Sequence, residues 1–332
     1  MSRPRILLTH TPDMRANYYG ERAVAGLAAL GDVVFHEGGS PLDSSGIAKL
    51  ASGCHLIVTD RNTDARADLF ARIPDTVAVL RCAVDIRTID VAAASRAGVL
   101  ITQASPGFVA SVAEMAFGQM IDLARDITRS TLAYRAGETP QPRKGVQLSG
   151  ATIGLLGYGA IARHVATLAH AFGMTVIAND PFVTTAEPHV RLTTFDEVVA
   201  TSDFLLPLAV ATAATENMID ASVLTRMKPT AFLINLSRGN LVDEAALAHA
   251  LDGRWIAGAA MDVGRAADQM PSPALAARAD VIATPHTAGL TPQAIEFQAL
   301  ETVAQAAEIL DGRIPKGAVN AAAAFRMRLE RS

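Results

Sequence analysis

The stretch Gly157-Tyr158-Gly159-Ala160-Ile161-Ala162 follows the apolar run Ile153–Leu156 and leads into residues of helical period; a second apolar run, Thr175–Ala178, ends on Asp180. Strand, tight turn, helix, strand and acid, with the acid 23 positions after the first glycine, is the order a dinucleotide needs. Gly157 permits the turn, and Gly159 lets the backbone approach a pyrophosphate. Ala160 and Ile161 open the helix, whose unpaired N–H groups favour phosphate, and Ala162 is small enough for helix and strand to pack closely. Asp180 can accept hydrogen bonds from the adenosine ribose diol. Its charge would repel a 2′-phosphate, so the expected cofactor is NAD rather than NADP.

Two further clusters stand just past apolar runs, where open parallel sheets place ligand groups. Asn235-Leu236-Ser237-Arg238-Gly239 follows Ala231–Ile234. The planar fork of Arg238 can clamp a carboxylate or polarise a carbonyl; alternatively it is a surface residue ahead of a helix capped by Asp243. Thr284-Pro285-His286-Thr287-Ala288-Gly289 follows Val281–Ala283. A histidine in that position can pass a proton at neutral pH, whereas His164, His170 and His249 fall on helices with no obvious partner. An acidic histidine needs a carboxylate to orient its ring, and Asp262 and Asp268 are the nearest candidates in sequence.

Positioning these groups requires strands and helices in alternation, and the chain supplies them. Before the glycine turn, strands are expected near Arg5–Thr9, Asp32–Phe35, His55–Thr59, Val77–Leu80 and Val99–Thr102. Helices are expected between them near Glu21–Ala29, Ser45–Ala51, Asp64–Ala71 and Asp90–Ala97. One long helix is expected over Ser111–Gly137, followed by a polar loop to Gly150. Later strands are expected at Thr152–Leu156, Thr175–Ala178, Asp203–Leu206, Ala231–Asn235, Ile256–Asp262 and Val281–Ala283, with a last amphipathic helix over Pro292–Leu310. The reading is α/β with two doubly wound domains: a Rossmann dinucleotide-binding domain, residues 105–288, inserted in a flavodoxin-like substrate domain, residues 1–104 and 289–332.

Hydrophobic residues make up 50% and charged residues 19%, which suits compact folding and argues against disorder. A net charge of −4 offers no electrostatic reason to expect nucleic acid or an anionic membrane surface. Cys54 and Cys82 are too few for a disulfide framework and lack metal-ligand spacing, so no metal is expected and a reducing cytoplasm is. The opening residues turn polar after Ile6-Leu7-Leu8 and read as a first strand rather than a signal peptide.

The stretches LGYGAIA with Asp180, NLSRGNLVDEAALAHAL, AGAAMDV and TPHTAG together resemble the D-isomer-specific 2-hydroxyacid dehydrogenase family over nearly the whole chain. The resemblance implies an NAD-dependent enzyme interconverting a 2-oxo acid and a D-2-hydroxy acid, and commonly a homodimer formed through the long helix. By position, Arg238 would bind the carboxylate and carbonyl, and His286 would donate the proton. Asp262 would contact the nicotinamide carboxamide, and Thr212 would lie in the segment beside the cofactor.

The chain departs from the family pattern in three places. The family's histidine-orienting glutamate falls on Ala267; a one-residue shift would bring Asp268 there, with a side chain shorter by roughly 1.5 Å. The substrate loop, usually Gly-x-Gly-x-Asp with backbone N–H groups holding the carboxylate, reads Ala83-Val84-Asp85-Ile86-Arg87. Asp85 would repel an anion unless Arg87 pairs with it or it points away; alternatively it accepts from a substrate hydroxyl or ammonium, and Arg81 and Arg87 could serve a second acidic group. The family's His-x-Pro-Leu-Thr is replaced in Phe204–Thr215, with Leu208 and Val210 inside it. Two alternatives therefore stand beside the leading one: the same fold acting on another small anion, or an NAD-sensing regulatory protein with weakened catalysis.

Overall fold

The computed structural model describes residues 3–329. Two compact units form: Met1–Gly107 with Pro292–Ser332, and Phe108–Thr291.

In the first unit, β1 (Arg5–Leu8), β2 (Asp32–Phe35), β3 (Leu56–Thr59), β4 (Ala78–Arg81) and β5 (Leu100–Gln103) make an all-parallel sheet in the order β2-β1-β3-β4-β5. β1, β3 and β4 lie inside the order, and their residues are buried apart from Arg5, as a parallel sheet covered on both faces demands. On one face Ile6, Leu8, Leu56, Val58 and Leu80 meet Ala299, Ala306 and Ile309 of helix Pro292–Leu310. On the other, Leu7, Ile57 and Val79 meet Ile47 and Phe70. The last long helix thus completes the sheet that the first residues begin.

In the second unit, β6 (Thr152–Leu156), β7 (Thr175–Asn179), β8 (Val190–Leu192), β9 (Phe204–Pro207), β10 (Phe232–Asn235), β11 (Gly258–Met261) and β12 (Val281–Ala283) form a parallel sheet ordered β12-β11-β10-β9-β6-β7-β8. The order reverses between β6 and β9, the switch point at which doubly wound sheets bind ligands. Helices Val109–Arg125 and Ala160–Ala171 cover one face through Ala116, Met120, Val165 and Ala169.

The single long helix expected after Ser111 is two helices, Val109–Arg125 and Ile127–Arg135. Asp126 between them adopts φ 57° and ψ 37°, ending the first in a left-handed residue that aspartate tolerates better than most. Helix Ile127–Arg135 buries none of its residues. Helical periodicity runs through both, so it could not reveal the break.

Candidate functional site

The glycine turn is built for two different reasons at its two glycines. Gly157 has φ 98°, and a Cβ there would stand 2.6 Å from the backbone nitrogen of Ala209, so both conformation and space exclude a side chain. A Cβ on Gly159 would meet nothing within 4 Å. The protein itself does not require glycine at 159; the space it leaves open lies at the start of helix Ala160–Ala171, which has no side-chain cap. A turn that keeps its first N–H groups uncapped and the space before them clear fits a pyrophosphate. Buried Ala162 lets the helix lie against the sheet.

Asp180 sits one residue beyond β7, and its carboxylate accepts from the N–H groups of Tyr158 (2.8 Å) and Phe182 (2.9 Å). The ribose-binding candidate is therefore tied directly to the glycine turn. The segment Phe204–Thr215 runs beside that turn through its backbone, with Leu208 N–H donating to Leu156 O at 2.7 Å. Thr212 is exposed, its N–H held by Thr215 Oγ1 at 2.8 Å.

Arg238 and His286 each lie three residues past a strand end, β10 and β12, on either side of β11. Buried Asn235, the last residue of β10, shapes the first loop: its amide donates to Arg238 O (3.0 Å) and its carbonyl accepts from Ser237 N (3.2 Å). The Arg238 guanidinium is partly buried and donates to Ser237 O at 2.7 Å. Gly239 packs against the backbone of Gly264, since a Cβ there would fall 1.9 Å from Gly264 O. The loops after β10 and β11 are thereby locked together.

Asp262, directly after β11, holds the histidine loop. Its Oδ1 accepts from Thr284 Oγ1 (2.6 Å) and Thr287 N (2.9 Å), and its Oδ2 from Ala288 N (2.9 Å). Its main-chain carbonyl accepts from His286 N at 2.9 Å. The resemblance set Asp262 against the nicotinamide carboxamide; in the structure the residue is fully buried and its carboxylate grips residues 284–288. Sequence reasoning missed this work, because nothing in the local pattern shows that loop donors converge on one side chain.

His286 itself has φ 56°, an uncommon conformation for a residue with a side chain, and these bonds sustain it. Its Nδ1 lies 2.8 Å from the main-chain oxygen of Asp268. The sequence pointed to the Asp268 carboxylate, but the observed acceptor is the Asp268 carbonyl, turned by left-handed backbone at Asp268 (φ 53°) and Gln269 (φ 57°). A carbonyl only accepts, so Nδ1 carries the proton and Nε2 is the nitrogen left to exchange one.

In the first unit, the substrate-loop candidates Ala83, Val84, Asp85 and Arg87 follow β4. Arg87 binds the Asp85 carboxylate through Nε (3.0 Å) and Nη2 (2.6 Å), the pairing required to relieve repulsion of an anion. The N–H groups of Ala83 and Val84 have no acceptor among the described residues. Arg81 is no candidate for a second acidic group: fully buried, it donates to Asp60 O, to Thr63 O (2.8 Å) and to Thr88 Oγ1 (2.7 Å). It clamps strand ends beneath the loop. Beside it, burial pushes the His10 imidazole down to about 4, so that ring is neutral.

The fold and the glycine turn define a dinucleotide-binding architecture with a cationic and an imidazole side chain just past the two strands that flank β11. Comparison with known proteins gives the family. Residues 117–288 match the profile described as D-isomer specific 2-hydroxyacid dehydrogenase, NAD binding domain. The chain is 36% identical over 262 residues to (S)-sulfolactate dehydrogenase of Chromohalobacter salexigens, covering 76% of this chain and 84% of that protein. It is 31% identical over 326 residues to D-3-phosphoglycerate dehydrogenase 2, chloroplastic, of Arabidopsis thaliana, covering 97% of this chain and 51% of that longer protein. The NAD-complexed D-isomer specific 2-hydroxyacid dehydrogenase of Lactobacillus delbrueckii ssp. bulgaricus superposes with a TM-score of 0.81 at 26% identity, over 95% of this chain and all of that one. This chain belongs to the D-isomer specific 2-hydroxyacid dehydrogenase family, and its cofactor is NAD.

The two glycines separate stability from binding. Gly157→Ala should lower the melting temperature markedly, because φ 98° and the 2.6 Å contact both resist a side chain. Gly159→Ala should cost at most about 1 kcal/mol of stability yet weaken NADH binding at least about tenfold, equivalent to about 1.4 kcal/mol. Thermal unfolding and NADH fluorescence titration of the two variants check this; equal NADH affinity in Gly159→Ala would place the pyrophosphate elsewhere.

Proposed function

We propose that this NAD-dependent 2-hydroxyacid dehydrogenase reduces a small 2-oxo acid with Arg238 and His286 as its reacting-centre groups. The observation that carries the assignment is their placement at equivalent points past β10 and β12, each loop braced by a buried polar residue, Asn235 and Asp262. NADH, when bound, supplies the hydride that adds to the carbonyl carbon. Arg238 binds the carboxylate and carbonyl and stabilises negative charge growing on oxygen. His286, with Nδ1–H directed at the Asp268 carbonyl, delivers the Nε2 proton to that oxygen; in oxidation it takes the proton back. Within its own unit, the loop after β4 offers the N–H groups of Ala83 and Val84, which suit an anionic group, with Asp85 paired to Arg87. Asp262 acts through the loop that carries His286. Phe108–Thr291 serves as the NAD-binding domain and the other unit as the substrate domain.

The same reading extends to assembly and location. Helix Ile127–Arg135 exposes Ile127 (49%) and Tyr134 (65%) on one side and Leu132 (57%) on the other, apolar side chains suited to contact with a second copy in a homodimer. Free Cys54 and Cys82 accord with a reducing cytoplasm. The net charge gives no footprint for nucleic acid or membrane.

Turnover of NADH with pyruvate, 3-sulfopyruvate or 3-phosphohydroxypyruvate is expected; NADH binding with no turnover of any 2-oxo acid would favour the regulatory alternative. His286→Ala should reduce kcat about 10²–10⁴-fold while NADH affinity stays near normal, and full activity would remove His286 from the reaction. Asp262→Asn turns a donor toward N–H groups that need an acceptor, and should lower kcat and alter its pH profile with NADH affinity little changed. Weaker NADH binding with an intact pH profile would instead return Asp262 to the nicotinamide. Sedimentation should show a dimer that Leu132→Asp disperses; a monomeric wild type would refute the dimer.

A further inference from the structure

Tyr158, the residue between the two glycines, is the one member of the turn with a large side chain, and the dinucleotide fingerprint gives it no task. Its ring is almost fully buried. Its N–H donates to Asp180 at 2.8 Å, while its hydroxyl donates to the Glu187 carboxylate. Asp180 opens the segment between β7 and β8, and Glu187 stands near its end, so one residue of the glycine turn fastens both ends of that segment. A cation completes the group. Arg163, in the first turn of helix Ala160–Ala171, lies 4.5 Å over the Tyr158 ring and donates to Glu187 Oε1 at 2.9 Å.

Resting on the assignment of Asp180 to the adenosine ribose, we propose that Glu187 is a second determinant of the preference for NAD over NADP, acting by holding Arg163 in an ion pair beside the ribose position. A 2′-phosphate would need a cation there, and arginine is the side chain best shaped to bind one. Arg163 is present on the helix that follows the glycine turn, but Glu187, tied like Asp180 to Tyr158, occupies it. The Tyr158 hydroxyl, with further help from Arg163, holds the Glu187 carboxyl down at about 2, so the charge persists throughout the neutral range. The pair is partly open to solvent, with side-chain exposures of 41% and 37%. It restrains Arg163 without burying it, and the guanidinium becomes available once Glu187 loses its charge.

The test compares wild type with Glu187→Gln, Asp180→Ala, the double variant, and the double variant carrying Arg163→Ala, titrating each with NADH and NADPH by nucleotide fluorescence. Glutamine keeps an oxygen for Tyr158 and removes only the charge. Glu187→Gln should improve NADPH affinity relative to NADH by about tenfold, and should add a similar factor to whatever Asp180→Ala achieves. Arg163→Ala should abolish the factor contributed by Glu187→Gln. An unchanged NADPH-to-NADH ratio in Glu187→Gln, a parallel loss of both cofactors, or a gain that survives Arg163→Ala would each overturn the proposal. Failure of Asp180→Ala to alter the ratio would count separately, against the ribose assignment itself.

Discussion

A carboxylate removed from water must be met by protein donors, and Asp262 meets this requirement with the loop that carries His286. Three donors from residues 284–288 converge on it, and its own carbonyl takes the His286 N–H. An unpaired buried carboxylate would cost several kcal/mol, so the loop has one low-energy arrangement rather than many. Within that arrangement His286 accepts a left-handed backbone that it would not adopt alone. Order in the imidazole therefore originates in Asp262, at the end of the strand between the loops that carry Arg238 and His286.

The opposite end of the sheet edge follows the same logic with a different residue. Asp180 is positioned by the backbone N–H of Tyr158, and the Tyr158 side chain reaches the far end of the next segment. At both ends an aspartate just past a strand end is fixed by donors from a neighbouring loop. Parallel strands make this possible, because they deliver their C-terminal ends to one edge of the sheet. The same edge in the first unit shows buried Arg81 bridging the ends of β3 and β4 beneath the loop that carries Asp85 and Arg87. There the Asp85 carboxylate is paired locally, with an arginine two residues away in sequence.

Much of this was legible before any coordinates. The α/β alternation, the strand positions other than the three-residue edge strand β8, and the glycine turn with its acid follow from periodicity and glycine placement, both local properties of the chain. The break at Asp126 was not legible, since an unbroken helical period passes through it and only the backbone shows φ 57°. The enclosure of Asp262 was equally hidden, as its donors lie more than twenty residues further on. Asp268 is the sharpest contrast: the expected residue stands beside the imidazole, but through its carbonyl.

Taken alone, the sequence determined residue types and their local conformations: a turn that only glycine allows at 157, uncapped N–H groups after it, an acid past the next strand, and an arginine and a histidine past two later ones. Tertiary structure decided which atoms meet. Parallel pairing of β10, β11 and β12 sets loops 238 and 286 to either side of Asp262, and left-handed backbone presents a carbonyl where a carboxylate was expected. The reason is one of range. Periodicity and turn chemistry act over a few residues, whereas hydrogen-bond partners are chosen by strand order and backbone direction, which no short stretch of sequence contains.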